Sequence, residues 1–359
     1  MRQIGILMRK IWSKPPVTYV QLDHPFPIPP DTASVREVAP GILWIRMPLP
    51  FALDHINLWA LADGDGWTVV DTGVGNDETL AHWDSLLAGP LGGKPITRLI
   101  CTHFHPDHMG LAGPLCQRFG IRLTATIGEW TYGRMLMLEG GEDYIDNQVD
   151  HYRRCGYDRD LLDGVRERSG GYKDRITWIP ANVSVIRHGD RLTIGGQAWQ
   201  VFTGNGHSPE HACLYCPDLN VLISGDQILP RISPVVGVWP QEPDSDPLSQ
   251  FMDSLERLKT AFPADCLVLP SHKLPFRGLH ERADELLAHH HQRLALALEC
   301  CTQPSTALEV LRRLFQRPLD PHQTGFAAGE TVAHLNHLIH SGQVVRSEDA
   351  DGVWIYGKS

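Results

Sequence analysis

Long apolar runs are missing from this sequence: no window approaches the roughly 20 consecutive apolar residues of a membrane-crossing helix. A bilayer-spanning helix, and with it a membrane partner, is therefore not expected. Disulfide patterning is missing too. The eight cysteines in 359 residues are irregularly spaced and read as reduced thiols rather than as a cross-linked framework. Cys213 and Cys216 lack the second Cys/His pair that a zinc knuckle needs, so they read as strand residues. Basic charge is in deficit, with 32 Lys and Arg against 42 Asp and Glu and a formal net charge of -10. That balance excludes an overall basic surface of the kind that binds duplex nucleic acid or anionic lipid, although not a local patch. Residues 1–14 carry basic side chains but neither a continuous apolar core nor a small-residue cleavage site. They do not read as a secretory signal, and a cytoplasmic location is expected.

What is present suits a soluble globular protein. With 42% hydrophobic and 21% charged residues, the chain can bury one sizeable core and a small second domain. Residues 1–33, punctuated by Pro15-Pro16 and by the prolines between His24 and Pro30, predict an extended arm. Residues 34–302 predict the main domain. Short apolar runs at 42–47, 56–61, 66–71, 96–101 and 122–126 read as strands, with Asp63-Gly64-Asp65-Gly66 as a hairpin turn and helical spacing over 77–87 and 109–119. Residues 129–176 are richer in charge, carry apolar residues at helical intervals and predict a helical insertion, either a lid or oligomer contact or simply a cover for the sheet. Strands resume at 183–186, 191–194, 198–202, 213–215, 221–224 and 266–269, with helices at 248–262 and 279–301. The second of these helices carries His289-His290-His291, read as helix surface. Residues 303–359 hold helices at 306–315 and 329–339 and a hairpin around Asp349-Ala350-Asp351-Gly352, the pattern of a winged-helix module. Its basic and acidic residues balance, which favours packing or homodimerisation over reading nucleic acid.

The densest chemistry follows the strand ending at Cys101. His103-Phe104-His105-Pro106-Asp107-His108 places three imidazoles and a carboxylate within six positions. The spacing lets two ligands converge on one ion while the next two reach a second. Three later strand ends carry further ligand types: His207 and His211 after residues 198–202, Asp226 after 221–224, and His272 after 266–269. Each stands beside small or turn-forming residues, where a rigid scaffold can aim a side chain.

At these residues the sequence resembles the metallo-β-lactamase fold superfamily, over roughly residues 35–295. The resemblance implies an α/β fold, a four-layer αββα sandwich, here with a helical insertion and a small C-terminal winged-helix domain. It makes His103, His105 and His207 ligands of a first ion, Asp107, His108 and His272 ligands of a second, and Asp226 a bridge between them. Asp71 falls where the family has a buried carboxylate that braces the metal loop. His211 falls just outside the ligands, where a hydrogen bond orients a ligand or product. Asp107, Asp226 and His211 are thus the candidate catalytic residues. Nitrogen and carboxylate donors without thiolate suit two Zn²⁺, with iron or manganese left open. Two such ions, roughly 3.5–4 Å apart, bring the pKa of a shared water from about 15.7 toward 7, and the bridging hydroxide attacks a carbonyl or phosphoryl centre. Asp107 would orient it and later pass a proton to the leaving group.

Departures within the superfamily narrow the class. Oxygen-reducing diiron members carry Glu where this chain has His105, and one penicillin-hydrolysing subclass carries Cys where it has Asp226. The reading reached is hydrolysis of an ester, thioester or lactone of a small or medium acyl compound. Single-strand endoribonuclease activity is the alternative, with RNA as its partner, and a mononuclear iron persulfide dioxygenase the third reading. Substrate contacts are expected from Phe51 and His55, in the loop before residue 57, and from Arg231 and Trp239, on the Pro-rich stretch after Asp226.

Overall fold

Period-two alternation along the strands decides the layering. In the strand His55–Asp63 (β3), Ile56, Leu58 and Ala60 join one buried cluster while Trp59 and Leu61 join another. In Ile96–Ile100 (β5) the same split separates Leu99 from Ile100. Successive side chains point to opposite faces, so both faces of this sheet must be covered. The structure is a computed structural model describing residues 20–50, 53–319 and 321–359. Phe51 lies outside the described residues, as do residues 1–19 of the expected arm.

The first sheet has seven strands in chain order, from Val35–Ala39 (β1) and Ile42–Pro48 (β2) through β3, Gly66–Val70 (β4) and β5 to Leu123–Ala125 (β6) and Val183–Val185 (β7). It is antiparallel from β1 to β4 and parallel from β4 to β7. The second sheet orders Leu267–Pro270 (β12), Val221–Gly225 (β11), His211–Cys216 (β10), Gln197–Gly204 (β9) and Arg191–Ile194 (β8). Between the sheets lie Trp44, Trp59, Val70 and Ile100 from one and Trp199, Leu214, Ile223 and Leu269 from the other. The helices Asp77–Ala88 (α1) and Ala112–Phe119 (α3) cover the outer face of the first sheet through Trp83, Leu86 and Leu115. Pro247–Ala261 (α7) and Leu279–Cys300 (α8) cover the second through Phe251, Leu255, Ala283 and Leu286. The result is the αββα sandwich.

Residues 109–119 do not form one helix. A short helix, Pro106–Met109 (α2), ends at Gly110 before α3 begins, because Gly110 is wedged against the backbone of Gly73 and Gly75, where a Cβ would stand 2.4 Å from Gly75 N. Residues 127–175 fold as Ile127–Leu138 (α4), Glu142–Arg154 (α5), Arg159–Arg168 (α6) and a 3-10 turn at Lys173–Arg175. At the C-terminus, Ala307–Leu314 (α9) and Pro321–His340 (α10) pack with a three-stranded sheet of Ser305–Thr306 (β13), Trp354–Lys358 (β15) and Val344–Glu348 (β14). The helix expected over 329–339 thus begins earlier. His290 is not on the surface of α8 but buried, its Nδ1 3.4 Å from His334 Nε2 on α10. Among the described residues no helix is long and apolar enough to cross a membrane, and all eight cysteines are free and buried.

Asn57 ties the two sheets together beside the turn that carries His272. Its amide donates to the carbonyls of Pro270 (2.9 Å) and Lys273 (2.8 Å), and its Oδ1 accepts from Trp44 Nε1 (2.8 Å). Asn57→Ala would leave three buried polar groups unpaired and is expected to cost about 2–4 kcal/mol. Urea unfolding measures it, and a loss below about 0.5 kcal/mol, the range of an ordinary surface change, contradicts the assignment.

Candidate metal centre

Asp71 is the first element of the centre to be fixed. It follows β4 with φ 64°, a left-handed conformation that turns its buried carboxylate under the loop leaving β5. There it accepts from Thr102 N (2.7 Å) and from Thr102 Oγ1 (2.9 Å to Oδ2), and His108 Nδ1 donates to it at 2.8 Å. Asp71 thus contacts both the backbone of the loop and the His108 ring. The remaining candidates arrive from the ends of β9, β11 and β12, and they converge. His103, His105, His207 and Asp226 form one group and Asp107, His108 and His272 a second, with the inward atoms of each group within 4.8 Å of one another.

The partners behind the rings determine what faces inward. His207 Nδ1 donates to Val235 O (2.7 Å) and His272 Nδ1 to His55 O (2.8 Å), while His108 Nδ1 donates to Asp71. Each of these acceptors takes a proton and offers none, so in the neutral ring each Nε2 carries its lone pair inward. Those lone pairs meet carboxylate oxygens. Asp226 Oδ2 is 3.4 Å from His272 Nε2 and 3.7 Å from both His108 and His207 Nε2, and Asp107 Oδ2 is 3.4 Å from His272 Nε2. His103 Nε2 likewise faces His105 Nδ1 at 2.9 Å and His207 Nε2 at 3.3 Å. His108 Nε2 and Asp226 Oδ1 are buried without a partner. Acceptors gathered against acceptors are stable only around positive charge. Burial opposes charging His272, yet Asp226 and Asp107 outweigh it and hold its pKa up at about 10. For His103 burial prevails, and for His105 burial with His207 brings the value down to about 3. The donor set therefore fits divalent cations, which is the coarse conclusion that the geometry carries.

The other expected residues fall elsewhere. His211 is fully buried, its ring stacked on that of His103 at 4.8 Å and its Nε2 accepting from Asp226 N at 3.0 Å. It holds the Asp226 turn, where Gly225 (φ 52°) leaves room for the ring, and it does not face a substrate. His55, expected as a substrate contact, is 4% exposed. Its Nδ1 is 2.6 Å from Asp54 and its Nε2 accepts from Lys273 N at 3.0 Å, so it stands behind His272 with both nitrogens engaged. Trp239 packs against α10, its ring 6.2 Å from Phe326, and Arg231 is exposed.

Two residues of the centre were not legible beforehand. Glu129, within α4, is fully buried and accepts from Phe104 N (3.0 Å), Ser208 Oγ (2.7 Å) and Glu210 N (2.6 Å), locking the His103–His108 loop to the His207 loop. Arg282, on α8, donates to the carbonyls of Leu229 (2.6 Å) and Ile232 (2.9 Å) and so fixes the segment between Asp226 and Val235. The only sequence signal for either is a charged residue on the inward stripe of a helix.

Comparison with known proteins agrees with this picture. The family model described as "Metallo-beta-lactamase superfamily" matches residues 52–272, and "Metallo-beta-lactamase-like, C-terminal domain" matches residues 294–359. The crystal structure of a beta-lactamase domain protein from Burkholderia ambifaria superposes with a TM-score of 0.88 at 42% identity, over 94% of this chain and 98% of that one. The probable metallo-hydrolase YqjP of Bacillus subtilis (strain 168) is 23% identical, over 83% of this chain and 92% of its own length. Two more distant relatives have named activities. The linear primary-alkylsulfatase of Pseudomonas sp. is 26% identical, over 62% of this chain and 42% of its own. The acyl-coenzyme A thioesterase MBLAC2 of Gallus gallus is 24% identical, over 54% of this chain and 65% of its own.

Burial raises the Glu129 pKa to about 7 against the three bonds that lower it. An acid raised in the folded state keeps its proton while the unfolded chain ionises. Wild-type stability should therefore fall by up to about 1.4 kcal/mol per pH unit between the unfolded value and pH 7, then level off. Glu129→Gln removes that slope while adding an offset constant in pH. Urea midpoints of both proteins from pH 4 to 8 test this, and parallel curves reject it.

Proposed function

Because this chain belongs to the metallo-β-lactamase superfamily and is one of its hydrolases, we propose that it is a binuclear zinc enzyme cleaving an ester, thioester or lactone of a small or medium acyl compound. The observation that carries the reading is the convergence of seven side chains in two adjacent groups, with inward lone pairs fixed by the partners behind them. His103, His105 and His207 would hold one ion, Asp107, His108 and His272 the other, and Asp226 both. When bound, the ions would supply a water acidified toward neutrality and a Lewis acid for the substrate oxygen.

The rest falls to the chain. His105, Pro106 and Asp107 are only partly buried while His103 and His108 are closed off, so the 105–107 turn is where a substrate reaches the centre. Asp107 would take the proton from the attacking water on its carboxylate and return it to the departing oxygen or sulfur, so that neither leaves as an unstabilised anion. Burial opposes its ionisation, but His108 and His272 hold its pKa down at about 2, so it begins the cycle as a base. Asp71, His211 and His55 act behind the ligands, orienting His108, Asp226 and His272 in turn. An acyl centre is supported by the thioesterase named among the relatives, and RNA is disfavoured by the net charge of -10.

The test is metal content and hydrolysis together. Purified with zinc, the protein should hold about two ions per chain and turn over at least one member of an ester, thioester and lactone panel. Asp107→Ala should lose about a hundred- to ten-thousand-fold in kcat, the usual contribution of a positioned acid–base group. Equal rates for the two proteins reject the assigned role, and one iron per chain with no zinc rejects the binuclear reading.

A further inference from the structure

A cavity of about 620 Å³ lies between the insertion helices α5 and α6 and the start of α10. Its size is that of a site for a drug-sized molecule. It adjoins the metal loop. Tyr172, on its wall, donates its hydroxyl to Phe104 O at 2.5 Å, and Phe104 is the residue between His103 and His105. Tyr144, on another wall, accepts from Gln241 Nε2 at 3.1 Å, on the stretch that leaves Asp226. The lining also says what would fit. Val165 and the tyrosine rings offer apolar surface. Gln148 Nε2 and Tyr157 Oη are closed off from solvent, so neither is open to a ligand in the cavity. Around these, Asp160, Asp163 and Glu167 set three carboxylates against the single Arg168, a field that opposes phosphate-bearing groups.

We propose that this cavity is the recognition pocket for the part of the substrate remote from the cleaved bond, taking an uncharged aromatic or alkyl body. The proposal rests on the hydrolase reading above and narrows it, placing nucleotide-bearing acyl donors among the poor substrates. Selectivity then resides in the insertion and the C-terminal helix, away from the metal ligands.

Gly325 makes a clean test. It lines the cavity from α10, and a Cβ there would meet nothing within 4 Å, so Gly325→Phe fills the pocket without strain elsewhere. The probe is 4-phenylbutan-2-one, a neutral ketone that is not hydrolysed, titrated calorimetrically into the zinc-loaded full chain. Gly325→Phe and, separately, Leu161→Ala should each weaken its binding about ten-fold, the equivalent of a filled space or a lost apolar contact. With S-methyl 4-phenylthiobutanoate as substrate, Gly325→Phe should raise KM about ten-fold with kcat nearly unchanged, while S-methyl thioacetate, too short to reach the pocket, is unaffected. The ketone should compete with the long substrate. Unchanged ketone binding in both variants overturns the pocket, and non-competitive inhibition overturns its link to the centre. Ketone binding that both variants weaken, in a protein that hydrolyses nothing, would sink the hydrolase reading and leave the pocket standing.

Discussion

Everything in this molecule answers to the problem of keeping lone pairs together. Three imidazoles give their outer proton to a partner that can only accept, Val235 O, His55 O or the Asp71 carboxylate, and so turn Nε2, a lone pair in the neutral ring, toward two aspartates. In water such groups would move apart. Here they are buried on strand ends that cannot move apart, and positive charge relieves them, as a bound cation or as a proton on His272. The stability of the fold therefore works against its own centre, and the binding energy of a cation offsets that conflict.

The scaffold meets the demand with buried polar side chains that join loops far apart in sequence. Asn57 fixes the turn before His272 to the first sheet, Glu129 joins the His103 loop to the His207 loop, and Arg282 fastens the segment that presents Val235 O. Each bridges two backbone stretches that belong to different strand connections. A purely apolar contact would hold such loops near one another but would not fix their direction. Directional hydrogen bonds to carbonyls and amides fix both, charge-assisted in the case of Arg282.

This division also explains what could be read from sequence. The candidate ligands were legible because each follows an apolar strand directly, and strand ends are defined by local pattern; His103, His207 and Asp226 fall in one group and His272 in the group beside it. The sandwich was legible for the same reason, as β3 and β5 alternate residue by residue between two cores. The supports were not. Nothing local distinguishes Glu129 from the other acids of its stretch, because its three donors come from residues 104, 208 and 210. His290 looked like one of three surface histidines until α10 closed over it, and His55 looked like a loop residue free to meet substrate until Lys273 N and Asp54 took its nitrogens. The break at Gly110 depends on the backbone of Gly73 and Gly75, thirty-odd positions earlier, which no helical periodicity records.

The insertion and the C-terminal region make one wall rather than two attachments. Leu308 N donates to Cys155 O at 2.9 Å, Gly156 (φ 91°) lies so close to Thr306 that a Cβ would stand 2.8 Å from it, and the His151 ring packs edge-on to Trp354 at 5.5 Å. The outer ion pairs that accompany this seam, such as Arg154 with Glu348 at 2.9 Å, are exposed and add little. The seam holds through its buried contacts. Residues that shape the cavity therefore come from two stretches of sequence that pack as a unit, while the metal-facing residues sit on strands that neither stretch interrupts. The wall reaches the metal loop through Tyr172 and Glu129, which bond to the backbone of Phe104, and reaches the His207 loop through Glu129, so it supports both loops as well as shaping the cavity.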